Sequence, residues 1–281
     1  MHLARCAINA ETMQTTVHYI KPAKKLKRIA VIGGGIGGME SALVCAKRGH
    51  KVTLYERSDK LGGVFIAAAA PSFKEKDRAL IAWYEREIAK YPNIEVKFNA
   101  FVNDATGIEA DEVIIATGSK ANKPPIPGID HGIQAVDFLL GKQEVGENVT
   151  IIGGGLTGCE IAYELYLQGK KPTIVEMQDD LITTPGVCLA NTSFLRDFFK
   201  ANNVPVHLET RLNEIRADGV TVTDKDGNKF DIAADNVILS MGYKPAPLCE
   251  KSKHLHLVGD CAKVGNLRTV IWQAWDVCMK L

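Results

Sequence analysis

Residues 28–61, RIAVIGGGIGGMESALVCAKRGHKVTLYERSDKL, are matched without a gap by residues 148–181, NVTIIGGGLTGCEIAYELYLQGKKPTIVEMQDDL. Each copy runs as an apolar strand, a glycine-rich turn, an amphipathic helix, a second strand and a terminal glutamate. The glycines of the first copy are Gly33, Gly35 and Gly38, and its acid is Glu56. Those of the second are Gly153, Gly155 and Gly158, with Glu176. Both acids lie 23 positions after the first glycine of their copy. One Gly-x-Gly-x-x-Gly match is weak evidence, because glycine-rich loops are common. Two matches, each with strand, helix and acid in register, make coincidence improbable.

The chemistry accounts for the spacing. Gly33 lets the chain turn tightly out of the strand Ile29–Ile32. Gly35 lacks a Cβ, so a pyrophosphate can approach the backbone, and Gly38 allows close packing of helix on strand. The helix offers unpaired amide N–H groups and the positive end of its dipole to that pyrophosphate. Glu56, ending the next strand, is placed to accept hydrogen bonds from ribose hydroxyls. Ordinary strand-to-helix turns would also need small residues, but they do not require an acid at a matched distance. In the second copy a carboxylate at Glu176 suits a ribose 2′-hydroxyl and repels a 2′-phosphate, and Met177 and Gln178 supply no arginine to reverse that preference. If this copy holds a nicotinamide, NADH is favoured and NADPH disfavoured.

Composition narrows the function classes. At 281 residues the chain is long enough for two modest domains. Its 46% hydrophobic and 24% charged content is that of a soluble globular protein. A net charge of +1 gives no electrostatic case for nucleic acid or an anionic membrane. No apolar run reaches the length of a membrane span, and the N-terminus lacks the apolar core of a secretory signal, so a cytoplasmic location is expected. The cysteines, Cys6, Cys45, Cys159, Cys188, Cys249, Cys261 and Cys278, include no C-x-x-C pair and no metal-ligand spacing. Cys45 and Cys159 fall inside the two helices as small buried residues, and Cys188 stands in a loop before a helix.

Further along, apolar periodicity predicts a helix over 73–90, and strands follow at 94–98 and 112–116. The latter strand ends in Ala116-Thr117-Gly118. The Pro-rich stretch 123–128 (KPPIPG) marks a crossover. After the second copy come a helix over 191–201, short strands at 206, 211–216 and 220–223, and a hairpin turn at Asp226-Gly227-Asn228. A strand over 236–240 ends in Met241-Gly242, and Pro245 and Pro247 mark the return crossover. A strand over 255–258 leads into Gly259-Asp260 and a final helix. Strands alternating with helices imply parallel sheets covered by helices, and two crossovers imply one unit inserted in the other.

With these motifs in hand, the chain resembles the two-dinucleotide-binding-domain flavoproteins, the group that contains disulfide reductases and NADH-dependent flavin reductases. The resemblance implies an α/β protein of two Rossmann-like FAD/NAD(P)-binding domains, the second inserted in the first. An N-terminal extension (1–26) would precede an FAD-binding domain (27–122 and 247–281) that encloses an NAD(P)H-binding domain (123–246). By that likeness FAD is expected on Gly33, Gly35, Ile36, Gly37, Gly38, Glu56 and Arg57, and on Gly62 and Gly63. Val102, Ala116, Thr117, Gly118, Gly259 and Asp260 would join them, with Arg268, Thr269 and Val270 near the isoalloxazine. NADH is expected on Gly153, Gly155, Leu156, Thr157, Gly158, Glu160 and Glu176, and on Met241 and Gly242. Glu160 either orients the nicotinamide or is a helix-start carboxylate favoured by the dipole. No side chain is named as catalytic, because hydride transfer asks for orientation and exclusion of water more than for an acid or base.

Residues 5–10 (RCAINA), Lys60-Leu61-Gly62-Gly63, Val264-Gly265-Asn266 and 271–274 (IWQA) look closer still to the C-terminal half of 2-enoate and 2,4-dienoyl-CoA reductases. Those enzymes place an FMN-bearing barrel and a 4Fe-4S cluster ahead of an FAD/NAD(P)H region. Cys6 would match the last cluster cysteine; an inert thiol is the equal alternative. The barrel and the other three cysteines are absent, so the chain is expected to be a fragment or to work with a partner module. It would pass hydride from NADH to FAD and electrons onward to that unit. Two other readings stay open: a stand-alone NADH oxidase or diaphorase with Cys188 as redox partner, and a non-catalytic nucleotide-binding docking domain.

Overall fold

The computed structural model describes residues 5–13, 16 and 18–281. The first glycine copy builds β1 (Arg28–Ile32), α1 (Ile36–Lys47) and β2 (Lys51–Tyr55). The last four residues of β1 are all buried, as an inner parallel strand covered on both faces requires. α1 is buried from Ile36 to Ala46, which explains why its sequence is apolar almost all round rather than striped. A short α2 (Phe65–Ala68) is followed by α3 (Glu75–Ala89), which buries a single stripe, Leu80, Tyr84 and Ile88, at four-residue spacing. Then come β3 (Ile94–Lys97), β4 (Glu112–Ile115) and β5 (Ser119–Ala121).

After the crossover the chain forms β6 (Ile133–Gln134) and α4 (Ala135–Leu139). The second copy supplies β7 (Asn148–Ile152), α5 (Leu156–Leu167) and β8 (Lys171–Val175). There follow α6 (Leu189–Ala201), β9 (Val206–His207), β10 (Arg211–Arg216), β11 (Gly219–Thr223), β12 (Lys229–Ala233) and β13 (Asn236–Leu239). The chain closes with β14 (Tyr243–Pro245), β15 (Leu255–Leu257) and α7 (Leu267–Cys278). α7 opens on a capping box between Asn266 and Thr269 and buries Ile271, Ala274, Trp275 and Cys278, an i, i+3, i+4, i+7 face.

Two parallel five-stranded sheets result, ordered β15-β4-β1-β2-β3 and β6-β13-β7-β8-β9. Each has the same logic: the glycine strand is central, the order climbs one way from it and then reverses. Packing divides the chain into two compact units. One holds the described residues up to Ile66 with Glu75–Lys120 and Tyr243–Leu281; the other holds Ala67–Lys74 with Ala121–Gly242. In the first unit α1, α3 and α7 cover one sheet face around Val31, Leu54 and Ile114, while Ala30, Ile32 and Ile115 meet Ala105 and Cys261 on the other. In the second unit α5 and α6 cover one face, and the antiparallel β10-β11-β12 sheet covers the other through Leu212, Ile215, Val220 and Val222.

The helix expected over 73–90 begins at Glu75, because Ser72, Phe73 and Lys74 are held elsewhere. Ser72 donates through N–H and Oγ to Glu164 of α5 (3.0 and 2.8 Å), Lys74 pairs with Glu160, and Phe73 meets Tyr163 edge-on. The short elements α2, β6 and α4 were not legible in advance, because two to five residues carry too little periodicity. No helix among the described residues is long and apolar enough to cross a membrane.

Candidate functional site

The site in the first unit begins where β1 ends. Gly33 has φ +106°, and a Cβ there would stand 2.5 Å from the carbonyl oxygen of Ala116, at the end of the neighbouring β4. At Gly38 a Cβ would lie 1.8 Å from the Gly33 carbonyl oxygen, so only glycine lets α1 sit this close to its strand. Gly35 differs. Its backbone is ordinary (φ −71°), and a Cβ would meet no atom within 4 Å. No described residue demands glycine at 35, so the backbone there is open to a group approaching from outside.

The second unit repeats this residue for residue. Gly153 has φ +109° with its missing Cβ 2.1 Å from the Ser240 carbonyl oxygen; at Gly158 the clash would be with the Gly153 carbonyl oxygen at 1.9 Å. Gly155 (φ −66°) again faces open space. Both loops stand at the carboxyl ends of the strands where sheet order reverses, β1 beside β4 and β7 beside β13. Ligands bind there in open α/β sheets.

The two acids brace these loops. One oxygen of Glu56 accepts the Gly34 N–H at 2.6 Å and the other accepts the N–H and Oγ–H of Ser58, each at 2.8 Å. Glu176 likewise accepts the Gly154 N–H at 2.5 Å and the Gln178 N–H at 2.8 Å. Each carboxylate oxygen keeps further acceptor capacity for a ribose hydroxyl. The bracing of Gly34 and Gly154 was not foreseen from sequence.

Around the first loop the chain assembles most of the residues singled out above. Gly62 and Gly63, both with positive φ, run against it: the Gly62 N–H donates to the Gly34 carbonyl (2.8 Å), and a Cβ on Gly63 would lie 3.1 Å from the Gly35 Cα. A Cβ on Gly37 would be 3.2 Å from Val270 and 3.8 Å from Gly259, so α7 and the Gly259-Asp260 turn meet α1 here. Asp260 accepts from the Gly265 N–H (3.1 Å) and from Ser119 Oγ (3.3 Å), and burial pushes its carboxyl above the usual range. Thr117 Oγ donates to the Ala246 carbonyl, and Thr269 is spent on the α7 cap. Arg57 is exposed, Arg268 is half-buried, and Val102 packs in the cluster of Ile32, Ala105 and Ile115.

The second site has two departures. Where the first loop meets Gly62, the second meets Ile182, whose N–H donates to the Gly154 carbonyl at 2.9 Å with φ +52°. A β-branched residue in the left-handed region costs roughly 1–2 kcal/mol. The other departure is Glu160. It is the fifth residue of α5, past the first turn, so the helix-start account of this carboxylate does not hold. Lys74 Nζ stands 2.7 Å from it instead, both side chains mostly buried. No sequence signal pointed to Lys74. Leu156 and Thr157 open α5, and Gly242 (φ +77°) accepts the Asn122 N–H while Met241 accepts its side-chain amide.

Neither site holds an activated thiol. Cys159 is buried on the second loop, its Sγ donating to the Gly154 carbonyl, and its pKa is pushed up to about 12 by burial. Cys261, beside Asp260, donates to the carbonyls of Ile115 and Val258 and is also raised by burial. All seven cysteines are free. No group of side chains among the described residues could hold a metal ion.

A pair of glycine loops at two topological switch points, each braced by an acid from the next strand, defines a protein of the dinucleotide-binding α/β class. Within it, the chain belongs to the pyridine nucleotide-disulphide oxidoreductase family, whose model matches residues 27–260. It is thus an oxidoreductase domain that binds FAD and a pyridine nucleotide, and the empty space before Gly35 and Gly155 fits a diphosphate at each. The chain is 38% identical to a cinnamate reductase of Clostridium sporogenes, over 98% of this chain and 42% of that protein. It is 32% identical to an NADH oxidase of Thermoanaerobacter brockii, over 99% and 44%. Among solved structures it matches a 2-naphthoyl-CoA reductase complex with a TM-score of 0.88 and 30% identity, covering 99% of this chain and 43% of that one. A thioredoxin reductase of Lactococcus lactis shares the fold (TM-score 0.73, 19% identity, 90% and 97% covered). The chain spans less than half the length of these curated relatives.

Proposed function

We propose that the chain is an FAD-dependent NADH oxidoreductase module whose second domain, 123–246, is inserted in a first formed by 27–122 and 247–281. FAD belongs on the first glycine loop with Gly62, Gly63, Ala116, Gly259 and Asp260, and NADH on the second with Glu176. FAD, when bound, supplies the chemistry that accepts a hydride and releases electrons singly or in pairs. The side chains do the rest. The Gly34 and Gly154 amides fix the Glu56 and Glu176 carboxylates, which orient ribose; the helix N-termini neutralise diphosphate charge; Lys74 holds Glu160. The observation that carries this reading is the pair Gly35 and Gly155, whose missing Cβ atoms no described residue requires.

The electrons leave for an acceptor outside this chain, because the thiols at both sites are buried and protonated. The length of the relatives supports a further module as that acceptor, one carrying FMN and a 4Fe-4S cluster and reducing an enoate-type substrate. Cys6 belongs to this reading: its carbonyl accepts from Trp272 Nε1 on α7 at 2.9 Å, and Arg5 lies over the same ring. The seven free thiols suit a reducing, cytoplasmic setting. A visible spectrum of the purified chain before and after anaerobic NADH tests the proposal. Flavin bands that bleach on NADH are the expected result; a colourless protein that takes up no FAD on reconstitution overturns it.

A further inference from the structure

Glu40 and Glu160 occupy the same position in the two copies, seven residues after the first glycine, and their surroundings are opposite. Glu160 has a lysine at 2.7 Å. Glu40 is 8% exposed, stands on α1 between core residues Met39 and Leu43, and accepts one hydrogen bond, from the hydroxyl of fully buried Tyr84 at 2.8 Å. Among the described residues no basic side chain forms an ion pair with it. The charged and titratable groups that face it are Tyr84 from α3, Lys47 from α1 itself, Glu11 from the N-terminal arm, and the thiol of Cys278 from α7.

We propose that Glu40 takes up a proton when the first loop binds the diphosphate of FAD, so that the affinity for FAD falls as pH rises. This inference rests on the assignment of FAD to that loop. Glu40 is the fifth residue of α1, roughly 6 Å along the helix axis from Ile36, whose turn offers the diphosphate its amides. A carboxylate and a diphosphate are like charges, and the packed residues around Glu40 keep water from screening them. Without ligand, burial already holds the carboxyl near neutrality, at about 7. The diphosphate raises it further, so in the intervening pH range binding draws one proton, or part of one, from the buffer. The diphosphate itself is ionised throughout that range and contributes no proton of its own. In the second copy Glu160 has the Lys74 ammonium beside it, so the proposal concerns the first loop alone.

Calorimetric titration of the flavin-free chain with FAD, in two buffers of different protonation enthalpy near pH 7.5, tests the proposal together with Kd measured across neutral pH. Net proton uptake is expected, with Kd weakening by roughly threefold to tenfold between about pH 6.5 and about pH 8.5. Glu40→Gln keeps the Tyr84 bond and should bind FAD with neither uptake nor pH dependence. Tyr84→Phe removes a hydrogen bond that favours the charged form, so its pH dependence should move to higher pH. Flat affinity with buffer-independent heats in the wild type overturns the proposal, as does uptake that persists in Glu40→Gln. FAD that fails to bind at any pH removes the flavin assignment itself, and this inference with it.

Discussion

The carbonyl oxygen of Ala116 stands 2.5 Å from where a Cβ on Gly33 would be, and Ser240 and Gly153 repeat the relationship at 2.1 Å. Each contact marks the place where the glycine strand meets the neighbour lying across the reversal of sheet order. The glycines therefore divide into those that the fold needs and those, Gly35 and Gly155, that it leaves facing open space.

That division is testable by alanine. Gly38→Ala and Gly158→Ala drive a methyl into a carbonyl and should cost several kcal/mol of stability, seen as a lowered midpoint in urea. Gly35→Ala and Gly155→Ala should change stability by less than about 0.5 kcal/mol. They should instead weaken FAD and NADH binding respectively, by at least tenfold in titrations. A Gly35→Ala protein that loses stability but keeps FAD affinity would contradict the account of the loop.

On the proposed reading, Glu176 selects the coenzyme. Its carboxylate is held by two backbone amides, with exposed Met177 and Gln178 beside it. kcat/KM should favour NADH over NADPH by roughly tenfold or more, a difference of about 1.4 kcal/mol. Glu176→Ala should narrow the ratio mainly by losing NADH. Equal values in the wild type refute the assignment.

Burial of Glu40 also has a cost that depends on pH. Its folded pKa of about 7 exceeds the ordinary value of 4.5, so the fold favours the protonated form. The stabilisation is complete below about pH 4.5 and is lost as pH rises through 7, amounting to about 3 kcal/mol across that window. Glu40→Gln should therefore gain stability relative to wild type at pH 8 and show no such gain near pH 4.5. Urea denaturation at the two pH values measures the difference.

Among the thiols, Cys188 is exposed at the start of α6, while Cys45, Cys159, Cys261 and Cys278 are buried. Alkylation of the native chain should label Cys188 first and leave these four unmodified until denaturation. Cys188→Ala should leave NADH-dependent dye reduction unchanged. Loss of that activity in the variant would favour a self-contained oxidase.

Much of this was legible along the chain. Strands β1, β7 and β10, and helices α1 and α5, follow from apolar period and glycine spacing, because each depends on neighbours a few residues away. Glu56 and Glu176 were visible for the same reason: a repeat displays its own register. Glu40 was open to the same comparison, since it aligns with Glu160, but alignment does not reveal surroundings. Lys74 left no trace, because what gives it meaning is Glu160 on α5, far along the sequence.

By itself, then, the sequence determined that two nucleotide loops exist and which backbone positions must stay bare, since strand, turn and helix are local consequences of residue type. Tertiary structure alone decided the fate of the side chains between them. The same glutamate, written twice, meets a lysine in one unit and a buried phenol in the other. A charge far from its partner in sequence is stabilised only by what packing brings beside it, and so only the folded chain separates a lysine-paired Glu160 from a Glu40 whose carboxyl burial raises.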